Sequence, residues 1–97
     1  MKETGGFRTE FLKAMADIQH TSVQSALRCT GKKTAEETCY DLSYDVIVRI
    51  MELIDGYYRP DMGRLDVVCE KNGERLNKSL DADLHDAVCD YLKCSDK

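Results

Sequence analysis

The sequence predicts a helix-dominated α+β fold, in which a helical hairpin is followed by a β-hairpin and a short C-terminal helix. Two long segments repeat apolar residues every three to four positions, which is typical of amphipathic helices. A later segment alternates apolar and polar residues around Asn72-Gly73, which is typical of two strands joined by a tight turn. The length of 97 residues suits one domain. We therefore expect a flexible tail over residues 1–8 and a single globular domain over residues 9–97.

The first predicted helix runs from about Thr9 to about Cys29. Gly31 suits the left-handed position that follows a helix end, and Arg28 suits the negative end of the helix dipole. We expect one broad apolar face, formed by Phe11, Leu12, Met15, Ile18, Val23, Ala26 and Leu27.

The second predicted helix runs to about Ile54 and begins at a capping box, in which Thr34 and Glu37 have the required spacing. Gly56 is placed to end it. Apolar residues fill roughly 240° of its circumference, whereas a surface helix needs an apolar stripe of only about 100°. We therefore expect this helix to be central, with the rest of the chain either packing against it or leaving part of it for a partner. Its charged residues share one narrow stripe: Asp41, Asp45, Arg49 and Glu52.

The predicted β-hairpin follows a loop over residues 57–63. A two-residue turn at Asn72-Gly73 fixes the register of the two strands, because both central residues of such a turn need positive φ. This register places apolar residues mainly on one face and sets two pairs of opposite charge next to the turn. The predicted pairs are Lys71 with Glu74, Glu70 with Arg75, Cys69 with Leu76, and Leu65 with Leu80.

The last predicted element is a helix from about Ala82 to about Lys93, with Asp81 or Ser79 as its cap. Its apolar face comprises Leu84, Ala87, Val88, Tyr91 and Leu92. This helix is expected to close the core.

Composition and charge argue against several classes of function. The formal net charge is −4, whereas nucleic-acid binding depends on basic patches that neutralise phosphates. The main basic cluster is Arg28, Lys32 and Lys33, so a nucleic-acid regulator is the least supported option. No apolar run is long enough to span a membrane, and the N-terminal residues lack the apolar stretch of an export signal. A cytoplasmic location is therefore expected.

Five cysteines are many for this length, and their odd number prevents complete pairing within one chain. We expect reduced thiols, several of them acting as small buried apolar residues. His85 and Cys89 are four residues apart and can share one helix face, so they are weak candidate ligands of a metal or a thiol site. Asp81 extends this row, but catalytic groups normally converge from different elements. We therefore expect no catalytic site and no cofactor.

The leading functional hypothesis is a small non-enzymatic interaction or regulatory module that acts as a homodimer. The expected partners are a second copy or another protein, through the second helix, the loop after it or an edge of the hairpin. The predicted interaction residues are Ile47, Met51, Tyr57, Tyr58 and Arg59. The alternative is a thiol- or metal-binding protein that uses Cys89 and His85.

Overall fold

The structure, a computed structural model, describes residues 6–28, 31, 33–76 and 83–94 and is built from helices. Helix α1 spans Phe7–Arg28, and helix α2 spans Ala35–Asp55. A short 3-10 turn at Pro60–Met62 follows, and helix α3 spans Leu84–Ala87 and continues as a 3-10 turn over Val88–Asp90. Helix α2 packs against both α1 and α3, so it is the central helix that the sequence predicts.

Both ends of α2 follow the sequence prediction. The Thr34 side chain accepts a hydrogen bond from the Glu37 backbone, and the Glu37 side chain accepts one from the Thr34 backbone. This capping box satisfies two backbone donors that a helix start otherwise leaves unpaired. At the other end, Gly56 is left-handed with φ of 92°. Helix α1 ends at Arg28, close to the predicted position, but begins at Phe7, two residues before the predicted start.

Gly56 also allows the chain to fold back across the end of α2. A Cβ atom at this position would lie 3.3 Å from the Cα atom of Arg64. The Leu65 N–H donates a hydrogen bond of 2.7 Å to the Ile54 carbonyl. Glycine is therefore required twice here, once for its φ angle and once for the close approach of the returning backbone.

The core lies between α1 and the C-terminal half of α2, with the returning loop as its third side. Its fully buried residues are Ala14 and Ile18 from α1 and Leu53 from α2. Partly buried apolar side chains surround them: Phe11, Met15, Val46, Ile50, Tyr58, Met62 and Leu65. Among the described residues, the buried apolar side chains thus lie on one side of α1 and in the last turns of α2.

The predicted β-hairpin, and with it the α+β class, is wrong for the part of the chain that the structure describes. That part contains no β-strand and has one isolated antiparallel bridge, between Val68 and Arg75. Arg75 thus faces Val68 rather than Glu70, a register that differs from the prediction by two residues. The end of the predicted second strand, residues 77–80 with Leu80, lies outside the described residues.

The turn at Asn72-Gly73 forms, but the described part of the chain leaves the segment around it exposed. The Gly73 N–H donates to the Cys69 carbonyl, and the Asn72 side chain accepts from the Glu74 N–H, so the loop is wider than two residues. Every residue from 67 to 76 is exposed, and Arg75 pairs with Asp66 at 2.6 Å. An isolated pair of strands is marginally stable in water unless one face is buried. A turn therefore forms here without strands.

The C-terminal helix is much shorter than predicted. The sequence predicts a helix from Ala82 to Lys93, whereas α3 covers Leu84–Ala87 with Asp83 as its N-cap residue. The predicted caps, Asp81 and Ser79, lie outside the described residues. Tyr91 is 87% exposed, so the predicted apolar face does not continue as a buried face to that position. A helix this short depends on tertiary contacts rather than on its own hydrogen bonds.

Candidate functional site

The predicted interaction residues of α2 are only partly available to a partner. Ile47 and Met51 are half-buried on that helix. They therefore offer part of their surface, and their neighbours Val46 and Ile50 pack against the core.

The predicted interaction residues of the loop make contacts within the chain. The Tyr57 hydroxyl donates to Asp83 at 2.9 Å, and the Tyr58 hydroxyl donates to Asp17 of α1 at 2.7 Å. Arg59 donates to Glu10 of α1 at 3.3 Å and to both carboxylate oxygens of Asp61. The loop thus forms hydrogen bonds with α1 on one side and with the C-terminal segment on the other.

Helix α1 carries a second apolar surface, which we name the outer stripe. Its residues are Leu12, Ala16, Gln19, His20, Val23 and Leu27. At about 100° per residue they fall within an arc of about 100°, on the side of α1 away from the buried residues Ala14, Ile18 and Ser22. The three large apolar members are 52%, 37% and 60% exposed, in the order Leu12, Val23 and Leu27. None of the six is an Asp, Glu, Lys or Arg.

The apolar spacing predicts one broad face on α1 and therefore does not separate this stripe from the core face. The angular positions contain the missing signal. Leu12 and Val23 lie more than 100° from Ile18 around the helix, too far to enter the same core. Helix α1 is therefore apolar on two sides, and only one of them is buried.

A cluster of acids and one histidine joins the end of α2 to α3. Asp55 is the last residue of α2, and its side chain is 0% exposed. Its Oδ2 atom accepts two hydrogen bonds from His85, one from the backbone N–H at 2.9 Å and one at the ring Nδ1 at 2.7 Å. Its Oδ1 atom is buried, and no described residue gives it a hydrogen bond. One buried carboxylate oxygen in the cluster thus has no partner.

Asp83 and Tyr57 complete the cluster. One ligand atom from each of Asp55, Asp83 and His85 lies within 4.8 Å of the other two. The Tyr57 ring packs edge-on against the His85 ring with centroids 5.0 Å apart, and its hydroxyl holds Asp83. Arg64 approaches Asp83 at 3.8 Å. The cluster therefore has three potential metal ligands, held in place by neighbouring side chains.

The hydrogen bonds shift the pKa values of the buried pair in opposite directions. Burial alone would raise the pKa of Asp55, but the hydrogen bonds from the backbone and ring of His85 outweigh it, and the pKa lies below its usual value. The hydrogen bond to Asp55 raises the pKa of His85, against the opposing effect of burial. The pair therefore favours a carboxylate and a protonated imidazole.

Cys89, the predicted partner of His85, hydrogen-bonds to the backbone of that residue and to Tyr44. Its thiol donates to the His85 carbonyl at 3.3 Å and accepts a hydrogen bond from the Tyr44 hydroxyl at 3.0 Å. The bond to Cys89 raises the pKa of Tyr44 to about 12. Asp55 was missed as the partner of His85 because it is thirty residues away in sequence.

The remaining candidates from the sequence are the other cysteines and the basic cluster. Of the described cysteines, Cys39 and Cys69 are exposed and Cys89 and Cys94 are half-buried, so the expected burial of several cysteines is wrong for these four. In the basic cluster, Lys33 pairs with Asp41 and Lys32 lies outside the described residues.

A cavity of about 220 Å³ separates α1 from the first turns of α2. Ser22, Ser25 and Tyr44 are among its lining residues. The Ser22 hydroxyl is buried and has no hydrogen-bond partner within the described part of the chain. The cavity is smaller than the range of about 300–1,000 Å³ that is common for ligand pockets. We interpret it as a packing gap.

Comparison with known proteins adds no assignment, since no family model, no curated protein and no solved structure matches the chain. No described helix combines the length and the apolar character that crossing a membrane requires.

Proposed function

We propose that the protein is a small non-enzymatic interaction module that acts as a homodimer, joined through the outer stripe of α1. The observation that carries this proposal is a largely apolar helix face, without Asp, Glu, Lys or Arg, that the described chain leaves exposed. Apolar surface of this kind gains free energy when a partner removes it from water. The helix is already held by its inner face, so it can present the stripe without unfolding.

The spacing of the stripe supports a second copy as the partner. Its four apolar residues are separated by four, seven and four positions, which reads the same in both directions. Two antiparallel copies related by a two-fold axis would therefore set Leu12 against Leu27 of the partner subunit, and Ala16 against Val23 of the partner subunit. Gln19 and His20 would meet at the axis. Such a self-complementary surface is what a symmetric dimer requires.

The expected dimer is reversible. The stripe is about 22 Å long at 1.5 Å per residue, so the interface would be one helix pair at the small end of specific interfaces. The fraction of dimer should therefore depend on protein concentration.

We propose a cytoplasmic location, which the odd number of cysteines supports because unpaired thiols persist in a reducing compartment.

The alternative function, metal or thiol chemistry at Cys89 and His85, has less support. The two side chains make separate contacts, and the His85 ring turns to Asp55.

A charge-exchange experiment tests the dimer. We expect Leu12→Glu and Leu27→Lys each to give a folded monomer in sedimentation velocity, because each buries an unpaired charge at the interface. The double variant should dimerise again, since antiparallel pairing brings each new Glu next to a new Lys of the partner subunit.

Val68→Glu is the matched control. Val68 is 56% exposed, similar to Leu12, but it lies in the turn segment. This variant should remain dimeric. A wild-type chain that stays monomeric at all concentrations would reject the proposal. Monomeric single variants with a monomeric double variant would reject the antiparallel pairing.

A further inference from the structure

We propose that Asp55, Asp83 and His85 form a binding site for one divalent transition-metal ion, with Zn²⁺ as the best-fitting ion. The three ligand atoms come from the end of α2 and the start of α3 and lie within 4.8 Å of one another. Movements on the order of 1 Å would bring them to the zinc–ligand distances of about 2.0–2.2 Å. The site lies within one chain, so it is independent of the proposed dimer.

The unpartnered oxygen of Asp55 is the observation that points to a ligand. Its side chain is fully buried, and Oδ2 of the same carboxylate already accepts hydrogen bonds from His85. The Leu84 backbone N–H also acts on this carboxylate, but Oδ1 makes no hydrogen bond of normal geometry with the described residues. A buried carboxylate oxygen without a partner is costly, and a cation would remove that cost. Oδ1 can bind the ion while Oδ2 keeps its bond to the His85 backbone.

Neighbouring side chains already hold two of the ligands in place. The Tyr57 hydroxyl donates to Asp83, and its ring restrains the ring of His85. Contacts of this kind from outside the ligand set orient metal ligands and increase affinity. Tyr57 was predicted as an interaction residue, and in this proposal it instead positions a metal ligand.

The charge around the histidine also favours a cation. Asp55, Asp83 and the exposed Asp86 surround the ring, and Asp86 approaches Nε2 at 3.6 Å. Within the described chain, Arg64 is the basic side chain that pairs with this group, at 3.8 Å from Asp83. Even with His85 protonated, three carboxylates against one guanidinium and one imidazolium leave a local excess of negative charge. A bound ion would take the place of the proton on the ligating nitrogen of His85.

The ligand types select the class of ion. Ca²⁺ and Mg²⁺ prefer sites made of oxygen atoms alone, whereas an imidazole nitrogen suits zinc and related transition metals. Zinc binds more tightly than manganese or iron to most nitrogen and oxygen sites. Three protein ligands would leave the fourth position of a tetrahedral ion open to water.

Isothermal titration of Zn²⁺ into untagged, reduced and EDTA-treated protein tests the site. We expect one ion per chain. Asp83→Asn and His85→Gln should each weaken binding by at least about tenfold, because each removes one of three ligands. Asp83 is partly exposed, so we expect the Asp83→Asn variant to remain folded, as measured by circular dichroism. This variant therefore decides the test even if substitution of Asp55 unfolds the chain.

Two variants serve as controls. Asp90→Asn removes an exposed acid of the adjoining 3-10 turn that is not one of the ligands. Cys89→Ser removes the thiol that donates to the His85 carbonyl. Each should change the affinity for Zn²⁺ by less than about twofold. Co²⁺ bound at the same site should show no thiolate charge-transfer absorption. The proposal is wrong if no stoichiometric ion binds, if Asp83→Asn leaves the affinity unchanged, or if the thiolate band appears and Cys89→Ser abolishes binding.

Discussion

The inner face and the outer stripe of α1 have similar apolar residues but different surroundings. On the inner face, Ala14 and Ile18 are almost completely buried against Leu53 of α2. On the outer stripe, Leu12 and Leu27 are each more than half exposed. The apolar content of a helix therefore does not state how much of it the chain itself will bury. The buried part is determined by the angular position of each residue relative to the neighbouring helix.

The loop after α2 completes the covering of the inner face, which α2 begins. Tyr58 bonds to Asp17 and Arg59 bonds to Glu10, so the loop is tied to the flank of α1 next to the core. No described residue makes a comparable contact with the large apolar residues of the outer stripe. The difference between the two faces follows from where α2 and this loop pack on α1.

The largest expected effect is a core substitution on the inner face. Ile18→Ala should lower the free energy of unfolding by about 3 kcal/mol, because it removes a buried side chain and leaves a cavity. Val23→Ala on the outer stripe is the matched control and should change it by less than about 0.5 kcal/mol in the monomer. Urea denaturation of dilute protein measures both. Equal losses would mean that the outer stripe is also covered by the chain.

A smaller effect is expected where the loop turns back towards the inner face. Gly56→Ala should cost about 1–2 kcal/mol, because alanine is strained at φ of 92° and its Cβ would press on the Arg64 backbone. Gly73→Ala is the control, since Gly73 has φ of 77° but nothing within 4 Å of a new Cβ. We expect thermal unfolding to shift more for Gly56→Ala. A larger shift for Gly73→Ala would mean that the turn segment contributes more to the stability of the fold than the returning loop does.

The smallest effect is the pH dependence of the contact between α2 and α3. In metal-free protein, the raised pKa of His85 adds stability that is fully present below its ordinary value of 6.5 and lost as the pH rises through the folded value. The lowered pKa of Asp55 adds stability that is present above 3.8 and lost as the pH falls through the folded value. Stability from this pair should therefore decline from pH 6 to pH 8.

Urea denaturation at these two pH values measures the decline. His85→Gln should remove most of it, whereas His20→Gln on the outer stripe should leave it in place. If His20→Gln also removed the decline, the pH dependence would belong to the outer stripe rather than to the acid–histidine pair.

Local sequence signals predicted the long helices well. The capping box at Thr34 and the left-handed Gly56 each depend on a few neighbouring residues. A short segment therefore contains all the interactions that form them. The turn at Asn72 was equally local, and a turn does form. The strands beside it were wrong because strand pairing needs a buried face, and no other part of the described chain covers residues 67–76.

The candidate sites were predicted less well. His85 was identified, but its partner is Asp55 on another helix rather than Cys89 on its own. The predicted loop residues Tyr57, Tyr58 and Arg59 do make specific contacts, yet with their own chain. A helical spacing shows which residues can share a face, but it contains no information about what a distant segment brings to that face.

The sequence alone determined where the two long helices lie and how α2 begins and ends, because backbone hydrogen bonds and caps act over a few residues. Only the tertiary structure decided which side of α1 is buried, that Asp55 meets His85, and that the turn segment remains without strands. These outcomes depend on contacts between residues far apart in sequence. Their energies come from burial and pairing that exist only after the helices have packed.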